Sequence, residues 1–418
     1  MTDPKNPTRG PMPGAMPGPM SGMALAGLKV VECATVIAAP FCGKLMADFG
    51  ADVIHVEPPG KGDHLRQFGF TKDGINPWWK YYDRNKSAVT LDISKPKGRD
   101  ILLRLLSDAD IFIENFRPGR LEEWGIHYED LAKLNPRLIM IRLTGYGQTG
   151  PYAEQPGFGT IIEAMSGFAH MTGEPDGPPT MPQFALADSV AGLYAVSAAM
   201  FAVYNRDVVG TGKGQVIDVA IWEGLYSILG PNATVYQLTG EAPTRMGNRV
   251  PTSAPRNTYK TKDNRWLVIA GATQTTATRL LTVVGGETLA KDPRFANNML
   301  RVKNVAALDE YISAWMGERT FDEVMAILNE CEVPVGPINT IADIMKDPHA
   351  VAREMIVDVP DEHKGTLKQE GVFPRMVGTP GKARHTGKSM GADNDEVFGS
   401  RLGMTAAEMA ELKTQGII

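Results

Sequence analysis

Short apolar segments alternate with amphipathic ones along the first half of the chain, and this alternation limits the fold more than any other feature. The apolar segments have the length of buried strands, and the segments between them are long enough to connect parallel strands. The pattern predicts strands at 28–33, 51–57, 111–113, 138–143 and 215–221, and helices at 40–46, 98–107 and 128–133. We therefore expect an α/β fold whose parallel sheet is covered by helices on both faces.

The 418 residues divide by texture into four parts. Residues 1–26 are rich in Pro, Gly and Met and are predicted to form a flexible tail rather than a signal peptide or a membrane segment. Residues 27–230 are predicted to be the first part of a large domain. Closely spaced turn residues then begin a smaller α+β domain at 231–345, and 346–418 are predicted to be a linker that returns to the large domain.

One segment, 189–204, is apolar on all sides and rich in Ala and Gly. It is shorter than the roughly 20 residues that a membrane-spanning helix needs. Its small side chains allow close approach of neighbouring elements. The segment therefore predicts a buried helix, and we expect no membrane span.

Composition excludes several classes of function. Lys plus Arg (43) and Asp plus Glu (48) leave a net charge of −5, so no overall positive field exists to attract nucleic acid. The three cysteines, Cys33, Cys42 and Cys331, form no CxxC pair and cannot all pair within one chain, which indicates a cytoplasmic location. The seven histidines are scattered, without HExxH, so we expect no metal site.

The segment GYGQTG at 145–150 matches the G-x-G-x-x-G pattern and follows a predicted strand. A dinucleotide site requires a helix to begin directly at these glycines, so that the pyrophosphate lies at its N-terminus. Pro151 and Pro156 interrupt any such helix. We therefore predict a structured turn rather than a nicotinamide or flavin site.

Asp188 lies at the predicted N-terminus of the apolar helix. Such a residue is commonly an N-cap, which accepts hydrogen bonds from the first backbone N–H groups. The same position would keep a carboxylate ionised in a cleft, as a nucleophile requires. Both interpretations can hold together. The segment 113–119 follows a predicted strand, and ligands of open α/β sheets bind at that edge.

Seven segments occur in a fixed order along the chain: GLKVVECATVIAAPFCGKLMADFGADVIHVEPPGKGD, RNKSAVTLDI, ADIFIENFRPG, LTGYGQTGPYA, MTGEPDGPP, ALADSVAGLYA and TGKGQVIDVAIWEG. In this order they resemble the class III CoA-transferase family, the CaiB/BaiF group that includes formyl-CoA transferase. The resemblance extends from Gly27 to the C-terminus. It implies a large Rossmann-like domain with a parallel sheet built from both chain ends, a small domain, and an interlocked dimer.

The resemblance also implies the chemistry. The family's catalytic aspartate lies in the motif that ALADSVAG matches, which transfers this role to Asp188. The implied reaction moves CoA from an acyl-CoA donor to a carboxylic acid acceptor through a mixed anhydride and an aspartyl-CoA thioester. The CoA thioester is then a substrate, and no permanently bound cofactor is expected.

Matching motifs also suggest CoA contacts. Asn115 and Phe116 correspond to family residues that line the CoA site, and Arg117 beside them is a candidate phosphate ligand. Glu123 stands where relatives usually carry Arg, so Arg120 is expected to compensate. The loop before Pro40 adds two further predicted CoA-site residues, which are Ile37 and Ala38.

Departures from the family pattern bear on the substrate. Ile37 replaces a glutamine of formyl-CoA transferase, and the glycine run that closes over its aspartate is absent, the nearest candidate being Gly271. Together with Phe158 and Met171, Ile37 favours an acid larger than formate or oxalate. An aromatic acid or a substituted succinate is expected, with succinyl-CoA as donor.

Two alternatives remain open at this point. The racemases of the same superfamily carry a His-Asp pair where this chain has Phe158 and Gly159, so proton abstraction from both faces would lack its partner. The chain is also compatible with a subunit that needs a homologous partner, so both a homodimer and a heterodimer are consistent with the sequence.

Overall fold

The computed structural model describes residues 22–418. Most of the predicted flexible tail at 1–26 therefore lies outside the described residues. From Gly22 the chain forms turns, and Leu25 N donates a hydrogen bond to Phe49 O at 2.9 Å.

The described chain contains strands and helices in regular alternation up to residue 227 and a mixed arrangement after it. The strands are β1 (Lys29–Cys33), β2 (Asp52–Glu57), β3 (Ser87–Thr90), β4 (Ile111–Glu114), β5 (Ile139–Thr144), β6 (Val216–Ala220), β7 (Arg256–Lys260), β8 (Trp266–Ala270), β9 (Val335–Pro337), β10 (Ile356–Asp361) and β11 (Gly365–Glu370).

The helices are α1 (Ala38–Asp48), α2 (Pro77–Tyr82), α3 (Pro96–Leu106), α4 (Arg120–Glu123), α5 (Tyr128–Leu134), α6 (Gly159–Met165), α7 (Phe168–Met171), α8 (Leu186–Asp207), α9 (Ile221–Ser227), α10 (Asn232–Thr239), α11 (Gln274–Ala290), α12 (Asn298–Lys303), α13 (Val305–Gly317), α14 (Phe321–Glu330), α15 (Ile341–Ile344), α16 (Pro348–Ala352) and α17 (Ala406–Thr414). Short 3-10 helices lie at His64–Gln67 and Pro293–Phe295, and a π-helical segment lies at Asp395–Arg401.

Six strands form one parallel sheet in the order β3-β2-β1-β4-β5-β6. This confirms the predicted α/β class and is the Rossmann-like order. Strands β1 and β4 are neighbours, with Cys33 opposite Glu114. The strand order reverses between them, so the loops that leave their carboxyl ends diverge and open a crevice.

The chain forms two compact units. The large one contains residues up to Ser166, Pro182–Leu229 and Glu354–Ile418, and the small one contains Gly167–Met181 and Gly230–Arg353. The predicted large domain at 27–230 thus included a stretch that belongs to the small unit. There Gly247 N donates to Gly173 O at 2.9 Å, a contact that local sequence does not signal. The return to the large unit begins at Glu354 rather than at 346.

The C-terminal part of the large unit, Glu354–Ile418, packs against that unit and adds no strand to its parallel sheet. All six strands of that sheet lie between Lys29 and Ala220, which differs from the expectation that both chain ends build it. The return covers the open edge instead, since Ala88 N donates to Asp393 Oδ2 at 2.8 Å and Thr90 N to Asn394 Oδ1 at 2.9 Å. An edge strand protected in this way does not recruit another strand.

The last residues of the chain also contribute to the core of the large unit. Leu412, Ile417 and Ile418 belong to the apolar cluster that includes Val31 and Phe112 of the sheet. The backbone is tied as well, because Asp92 N donates to Ile417 O at 2.8 Å. The C-terminal residues thus pack on the sheet of the large unit.

Helix α8 is longer than predicted and only partly buried. Its alanines at four-residue spacing face inward, and a Cβ at Gly192 would lie 2.9 Å from Ala38 O, so α8 packs closely on α1. The opposite face is exposed, with Phe201 73% and Tyr204 59% accessible, which corrects the expectation of a fully buried helix. Within the described residues, α8 is the helix long and apolar enough to cross a membrane by length and composition. The core helices of soluble proteins also pass that test, so the prediction of no membrane span stays a prediction.

The small unit has its own core. Strands β7, β8 and β9 form an antiparallel sheet, with β8 in the middle. Leu267 and Ile269 of β8 pack against Leu280, Leu308 and other apolar residues of the helices that follow. A smaller α+β part is therefore confirmed. The hairpin of β10 and β11, in the return of the large unit, was not predicted.

Candidate active site

A cleft opens at the carboxyl ends of β1 and β4, where the strand order reverses. Two loops form its walls: residues 35–38, here called the cleft loop, and residues 115–118. Asp188 lies on the cleft wall with Gly145 and Phe158. The cavity of the cleft measures about 160 Å³. Pockets for whole drug-sized ligands measure about 300–1,000 Å³, so this cavity fits the reacting end of a larger molecule.

Asp188 is the third residue of α8 and not its N-cap. Ala185 occupies the N-cap position and makes no side-chain capping bond, which corrects the capping interpretation. In the first turn the Asp188 carboxylate still lies in the positive field of the helix N-terminus. Unlike a cap, its side chain is free to line the cleft.

Helix α6 passes directly beneath this carboxylate. A Cβ added at Gly159 would overlap Asp188 Oδ2, so residue 159 must be glycine for Asp188 to keep this position. Four residues on, Glu163 is buried at 3% exposure, and its Oε1 accepts a hydrogen bond from Ala187 N at 3.3 Å. Two carboxyl groups therefore lie at the N-terminus of one helix.

The surroundings set the charge state of Asp188. Burial, and after it the negative charge of Glu163, raise the pKa of Asp188 to about 6. The expectation that the helix N-terminus alone keeps this carboxylate ionised is therefore incomplete, because desolvation outweighs the helix field. At pH 7 a group of this pKa is still about nine-tenths ionised. Asp188 is thus both desolvated and charged at neutral pH.

Two side chains, the partly buried Asn115 and the buried Asp63, hold the cleft loop. Asn115 Oδ1 accepts from Thr35 N at 2.9 Å, and Asn115 Nδ2 donates to Thr35 O at 2.7 Å. Asp63 Oδ1 accepts from the next residue, Val36 N, at 3.2 Å. Asn115, a predicted CoA contact, therefore lines the cleft, but its side-chain amide is hydrogen-bonded to Thr35 of the cleft loop.

The other predicted CoA residues divide into two groups. Ile37, Ala38, Phe116 and Arg117 line the cleft. Arg117 is exposed, and its guanidinium has no ion-pair partner among residues 22–418. Arg120 does not line the cleft; its Nη1 donates to Glu123 Oε2 at 2.6 Å. Such an exposed ion pair contributes little stability and leaves the arginine available to a phosphate.

The backbone of residues 115–118 is fixed from within the sheet. Glu114 Oε2 accepts from Phe116 N at 2.8 Å, and Glu114 Oε1 accepts from Arg142 Nε at 2.7 Å. The ring of Phe116 packs edge-on against Trp124 at 5.1 Å. These contacts orient Phe116 toward the cleft before any ligand binds.

The glycine-rich segment 145–150 forms bends without a helix, which confirms the predicted structured turn. Its first glycine serves a steric purpose, because a Cβ at Gly145 would lie 2.8 Å from Gly157 Cα. Gln148 N donates to Asp218 Oδ2 at 2.9 Å and fixes the turn. The segment thus brings two loops together at the cleft wall.

Two residues that the sequence linked to the acid pocket lie in the small unit. Met171 ends α7, and Gly271 follows β8, where its N–H donates to Pro255 O at 3.0 Å. Of the three residues predicted to favour a larger acid, the cleft itself contains Ile37 and Phe158.

Among residues 22–418, one cluster resembles a metal site. Glu32, His55 and Asp83 are buried, with one potential ligand atom of each within 4.8 Å of the others. Lys86 Nζ, however, donates to Glu32 Oε1 at 2.7 Å. Burial lowers the pKa of His55, but the carboxylates of Asp83 and Glu32 outweigh it and raise the pKa to about 9. A protonated imidazole is not a metal ligand, so the cluster fits an ion network better than a metal site.

Sequence reasoning missed Glu163, Asp63 and the steric role of Gly159. A signal existed for the first, because Glu163 interrupts the apolar run IIEAM and an acid at such a position is buried with a partner. Asp63 follows two glycines in GKGD, a pattern that indicates a turn and no specific contact.

Comparison with known proteins agrees with this geometry. The model of the family described as CoA-transferase family III matches residues 25–394. Succinyl-CoA–D-citramalate CoA-transferase of Chloroflexus aurantiacus is 43% identical over 395 residues, which cover 94% of this chain and 98% of that protein. The beta subunit of succinyl-CoA–L-malate CoA-transferase from the same organism is 38% identical over 400 residues, covering 95% and 98%.

A solved structure shares the fold. The crystal structure of a CaiB/BaiF family protein from Brucella suis matches with a TM-score of 0.81 and 36% identity, covering 91% of this chain and 100% of that one. The agreement extends over both the sequence and the arrangement of the elements. The chain belongs to CoA-transferase family III and is a CoA-transferase that acts on CoA thioesters.

Proposed function

We propose that this enzyme transfers CoA from succinyl-CoA to a free dicarboxylic acid of the malate or citramalate type, through covalent intermediates on Asp188. The observation that carries the proposal is the place of Asp188, which is the one carboxylate among the residues that line the cleft between β1 and β4. The printed activities of two relatives, which use succinyl-CoA with D-citramalate or L-malate, support the donor and the acceptor class.

In the first half-reaction, the Asp188 carboxylate attacks the thioester carbonyl carbon of the donor and expels CoA as its thiolate. The product is a mixed anhydride between Asp188 and the donor acid. The thiolate then attacks the aspartyl carbonyl carbon, and the donor acid leaves as a carboxylate that carries one former Asp188 oxygen. Asp188 now holds CoA as a thioester, and no net proton has moved.

The second half-reaction is the reverse with a new acid. The acceptor carboxylate attacks the aspartyl-CoA carbonyl carbon, and the thiolate leaves. The thiolate then attacks the acceptor acyl carbon of this second anhydride, which releases the new acyl-CoA and restores Asp188. The restored side chain retains one oxygen from the acceptor.

The chain supports these steps by charge and by exclusion of water. The raised pKa of about 6 leaves Asp188 ionised at neutral pH, so no general base is required. The cavity of about 160 Å³ leaves room for few water molecules beside the reacting groups, and water would hydrolyse both the anhydride and the thioester. Unlike a hydrolase, this site has no need for a group that activates water.

The cleft walls supply the contacts for CoA. Ile37 and Ala38 offer backbone and apolar surface on one wall, and Phe116 offers a ring on the other. Arg117, which has no ion-pair partner in the described part of the chain, supplies a positive charge for a phosphate, and Arg120 supplies a second one if Glu123 releases it. In a chain of net charge −5, these local charges provide the attraction for the anionic substrate.

The cleft does not favour a racemase. That reaction needs two acid/base groups on opposite faces of the α-carbon. Apart from Asp188 and Arg117, the cleft-lining residues carry no ionisable side chain, and Phe158 and Gly159 stand where the racemases carry His-Asp. Solvent deuterium at the α-carbon of a 2-methylacyl-CoA would still reveal such an activity.

The exposed apolar surface of the large unit favours an interface with a second chain. Leu193, Phe201 and Tyr204 of α8 and Tyr226 of α9 are 52%, 73%, 59% and 49% exposed. Apolar side chains exposed together indicate a protein interface. We expect a dimer, and the beta-subunit relative makes a heterodimer with a homologous chain the alternative to a homodimer. Light scattering of the purified chain, combined with an assay of that chain alone, separates the two.

We further expect the enzyme to act in the cytoplasm. The cysteines Cys33, Cys42 and Cys331 are all free, and the first two are buried. Free thiols are typical of a reducing compartment. Nucleic acid is not expected as a partner of this acidic chain.

The test follows the atoms of the mechanism. The protein is incubated with succinyl-CoA, and the peptide that contains Asp188 is examined by mass spectrometry for bound CoA. In a second arm, an acceptor labelled with ¹⁸O in its carboxylate is added. We expect a CoA adduct on Asp188 in the first arm and, in the second, one ¹⁸O atom in its side chain after a single turnover.

The matched variants are Asp188→Asn and Asp207→Asn, the same change at the two ends of α8. The first is expected to lose the adduct and CoA transfer, and the second to retain both. Transfer by Asp188→Asn at the parent rate, or turnover without ¹⁸O in Asp188, would show that the mechanism is wrong. A panel of malate, citramalate, glutarate, oxalate and aromatic acids identifies the acceptor.

A further inference from the structure

Val36, in the middle of the cleft loop, has an unusual backbone conformation. Its φ is 69°, in the left-handed region. That region is rare for a non-glycine residue and a true outlier for a β-branched one. Such a conformation persists only where the surrounding structure enforces it. Something next to the cleft therefore holds Val36.

Asp63 is in the position to do so. Its Oδ1 accepts hydrogen bonds from Val36 N at 3.2 Å and from Leu65 N at 2.7 Å, and the residue is 1% exposed. One buried carboxylate oxygen thus joins the cleft loop to the start of the 3-10 helix at His64–Gln67. Neighbouring Thr35 is held independently by Asn115, so each of two successive residues has its own side-chain partner.

Asp63 is itself fixed from behind. Its N–H donates to Glu57 Oε2 at 2.9 Å. The same oxygen also accepts a hydrogen bond from Arg66 Nε at 2.7 Å. The second oxygen, Asp63 Oδ2, is buried, has no hydrogen-bond partner among residues 22–418, and lies 3.7 Å from His55 Nε2. A positive charge on His55 therefore faces this oxygen. The carboxylate has little freedom to release Val36.

We propose that Asp63 is a positioning residue of the cleft: it holds Val36 in the left-handed conformation and so fixes the wall against which the CoA thioester binds. This inference rests on the proposed function, because it assumes that the cleft receives CoA. Asp63 does not line the cleft. It acts through the Val36 backbone, and its loss affects binding more than the chemical step at Asp188.

The test is a double-mutant cycle with Asp63→Ala, Val36→Gly and the double variant. Steady-state kinetics with succinyl-CoA give KM and kcat, and calorimetry gives the affinity for coenzyme A itself. Asp63→Ala is expected to raise KM for the thioester about tenfold, since an enforced backbone outlier corresponds to roughly that factor, with a smaller change in kcat. Val36 lines the cleft, so Val36→Gly has a KM of its own, and that KM is the reference for the double variant. Glycine adopts a φ of about +69° without strain.

The decisive variant is the double one. If Asp63 acts through Val36, the KM of the double variant lies within about threefold of that of Val36→Gly, because glycine no longer needs enforcement. A loss in Asp63→Ala that glycine does not rescue overturns the proposal, and so does an unchanged KM in Asp63→Ala. Asp63→Asn keeps an oxygen for both N–H groups but places an amide where a carboxylate oxygen faces His55, so its increase in KM is expected to be smaller than that of Asp63→Ala. An equal increase in both variants contradicts the role assigned to the hydrogen bond.

Two controls separate the effect from general damage. Asp347 accepts from His349 N and Ala350 N, both at 2.8 Å, at the start of α16 in the small unit. Asp347→Ala removes the same kind of carboxylate and is expected to leave KM unchanged. If Asp63→Ala does not fold, Asp63→Asn is tested alone and combined with Val36→Gly, and an increase in KM that glycine at position 36 does not remove counts against the proposal.

Failure here and failure of the proposed function are distinguishable. The affinity for coenzyme A does not depend on covalent chemistry. Rescued affinity without any CoA adduct on Asp188 would support the positioning role and refute the covalent mechanism. The adduct on Asp188, together with unchanged affinity in Asp63→Ala, would do the reverse.

Discussion

The buried carboxyl of Glu163 beside Asp188 makes a quantitative prediction possible. Glu163→Gln keeps the size of the side chain and an oxygen that can accept the Ala187 N–H at 3.3 Å, but it removes one negative charge. The charge of Glu163 is the second cause, after burial, that raises the pKa of Asp188. We expect the variant to lower that pKa and to shift the acid limb of kcat/KM toward lower pH.

The structure sets the size of the effect. With the pKa of Asp188 at about 6, its ionised fraction falls about tenfold between pH 7 and pH 5, and kcat/KM of the parent should fall with it. Burial is the larger cause and stays in place in the variant. We therefore expect the midpoint of the variant to lie between about pH 5 and pH 6. Its fall over the same interval is then between about twofold and tenfold.

The assay is kcat/KM for succinyl-CoA between pH 4.5 and pH 8, in parallel for the parent, Glu163→Gln and Glu129→Gln. Glu129 is an exposed residue of α5 and serves as the charge-matched control. Phosphate monoesters also titrate near pH 6, and the carboxylates of donor and acceptor titrate below that. These substrate ionisations are common to all three proteins and cancel in the comparison.

Three results would refute the reasoning. A parent profile that is flat from pH 5 to pH 7 would mean that ionisation of Asp188 does not limit the reaction. A shift of Glu163→Gln toward higher pH would have the wrong sign for the loss of a negative neighbour. Equal shifts in Glu163→Gln and Glu129→Gln would show a general charge effect and no local one.

Three further predictions concern activity and stability. Asp188→Asn should lose CoA transfer by at least about 10³-fold yet melt higher at pH 8. Because the pKa of Asp188 is raised in the folded state, its ionised form lowers the free energy of unfolding by at most about 3 kcal/mol above pH 6. Below the unfolded pKa near 4 this destabilisation almost vanishes. Calorimetry at pH 4 and pH 8 checks both statements. Gly159→Ala should reduce transfer sharply, because its methyl group overlaps Asp188 Oδ2, while calorimetry shows coenzyme A still bound. His55 stabilises the fold fully below its unfolded pKa near 6.5 and loses this as pH rises through about 9, so the melting temperature should fall more steeply from pH 7 to pH 10 in the parent than in His55→Gln.

How far the sequence predicts this protein depends on the range of the interactions. Strands such as β1 and β5 are short apolar runs, and their predicted bounds lie within one residue of those observed. The strand β3 (SAVT) has four residues and was not singled out, because so short a segment has no distinct period. The hairpin strand β11 (GTLKQE) is mostly exposed and polar, so no apolar alternation marks it.

The candidate site shows the same division. Asp188 lies in the motif ALADSVAG, and the resemblance rests on the residues next to it along the chain. The contacts of Asp63 with Val36 and of Glu163 with Ala187 join residues 27 and 24 positions apart, across loops and helices. Spacing along the chain does not reveal such contacts. They depend on the order of strands in the sheet, which brings the carboxyl ends of β1 and β4 together.

The place of Asp188 reconciles two opposing requirements of the proposed chemistry. An ordinary aspartate in water is ionised but weakly basic, and basicity and nucleophilicity rise together for related oxygen nucleophiles. Desolvation and the charge of Glu163 raise the basicity of Asp188, and the first turn of α8 limits the rise so that the group is still ionised at neutral pH. A carboxylate deeper in the core would be neutral and inert, whereas one at the surface would be ionised but open to water. In the half-buried first turn of α8, where the strand order reverses, the carboxylate is both ionised and partly protected from water. The consequence is that the folded protein with Asp188 is less stable than one with asparagine at this position.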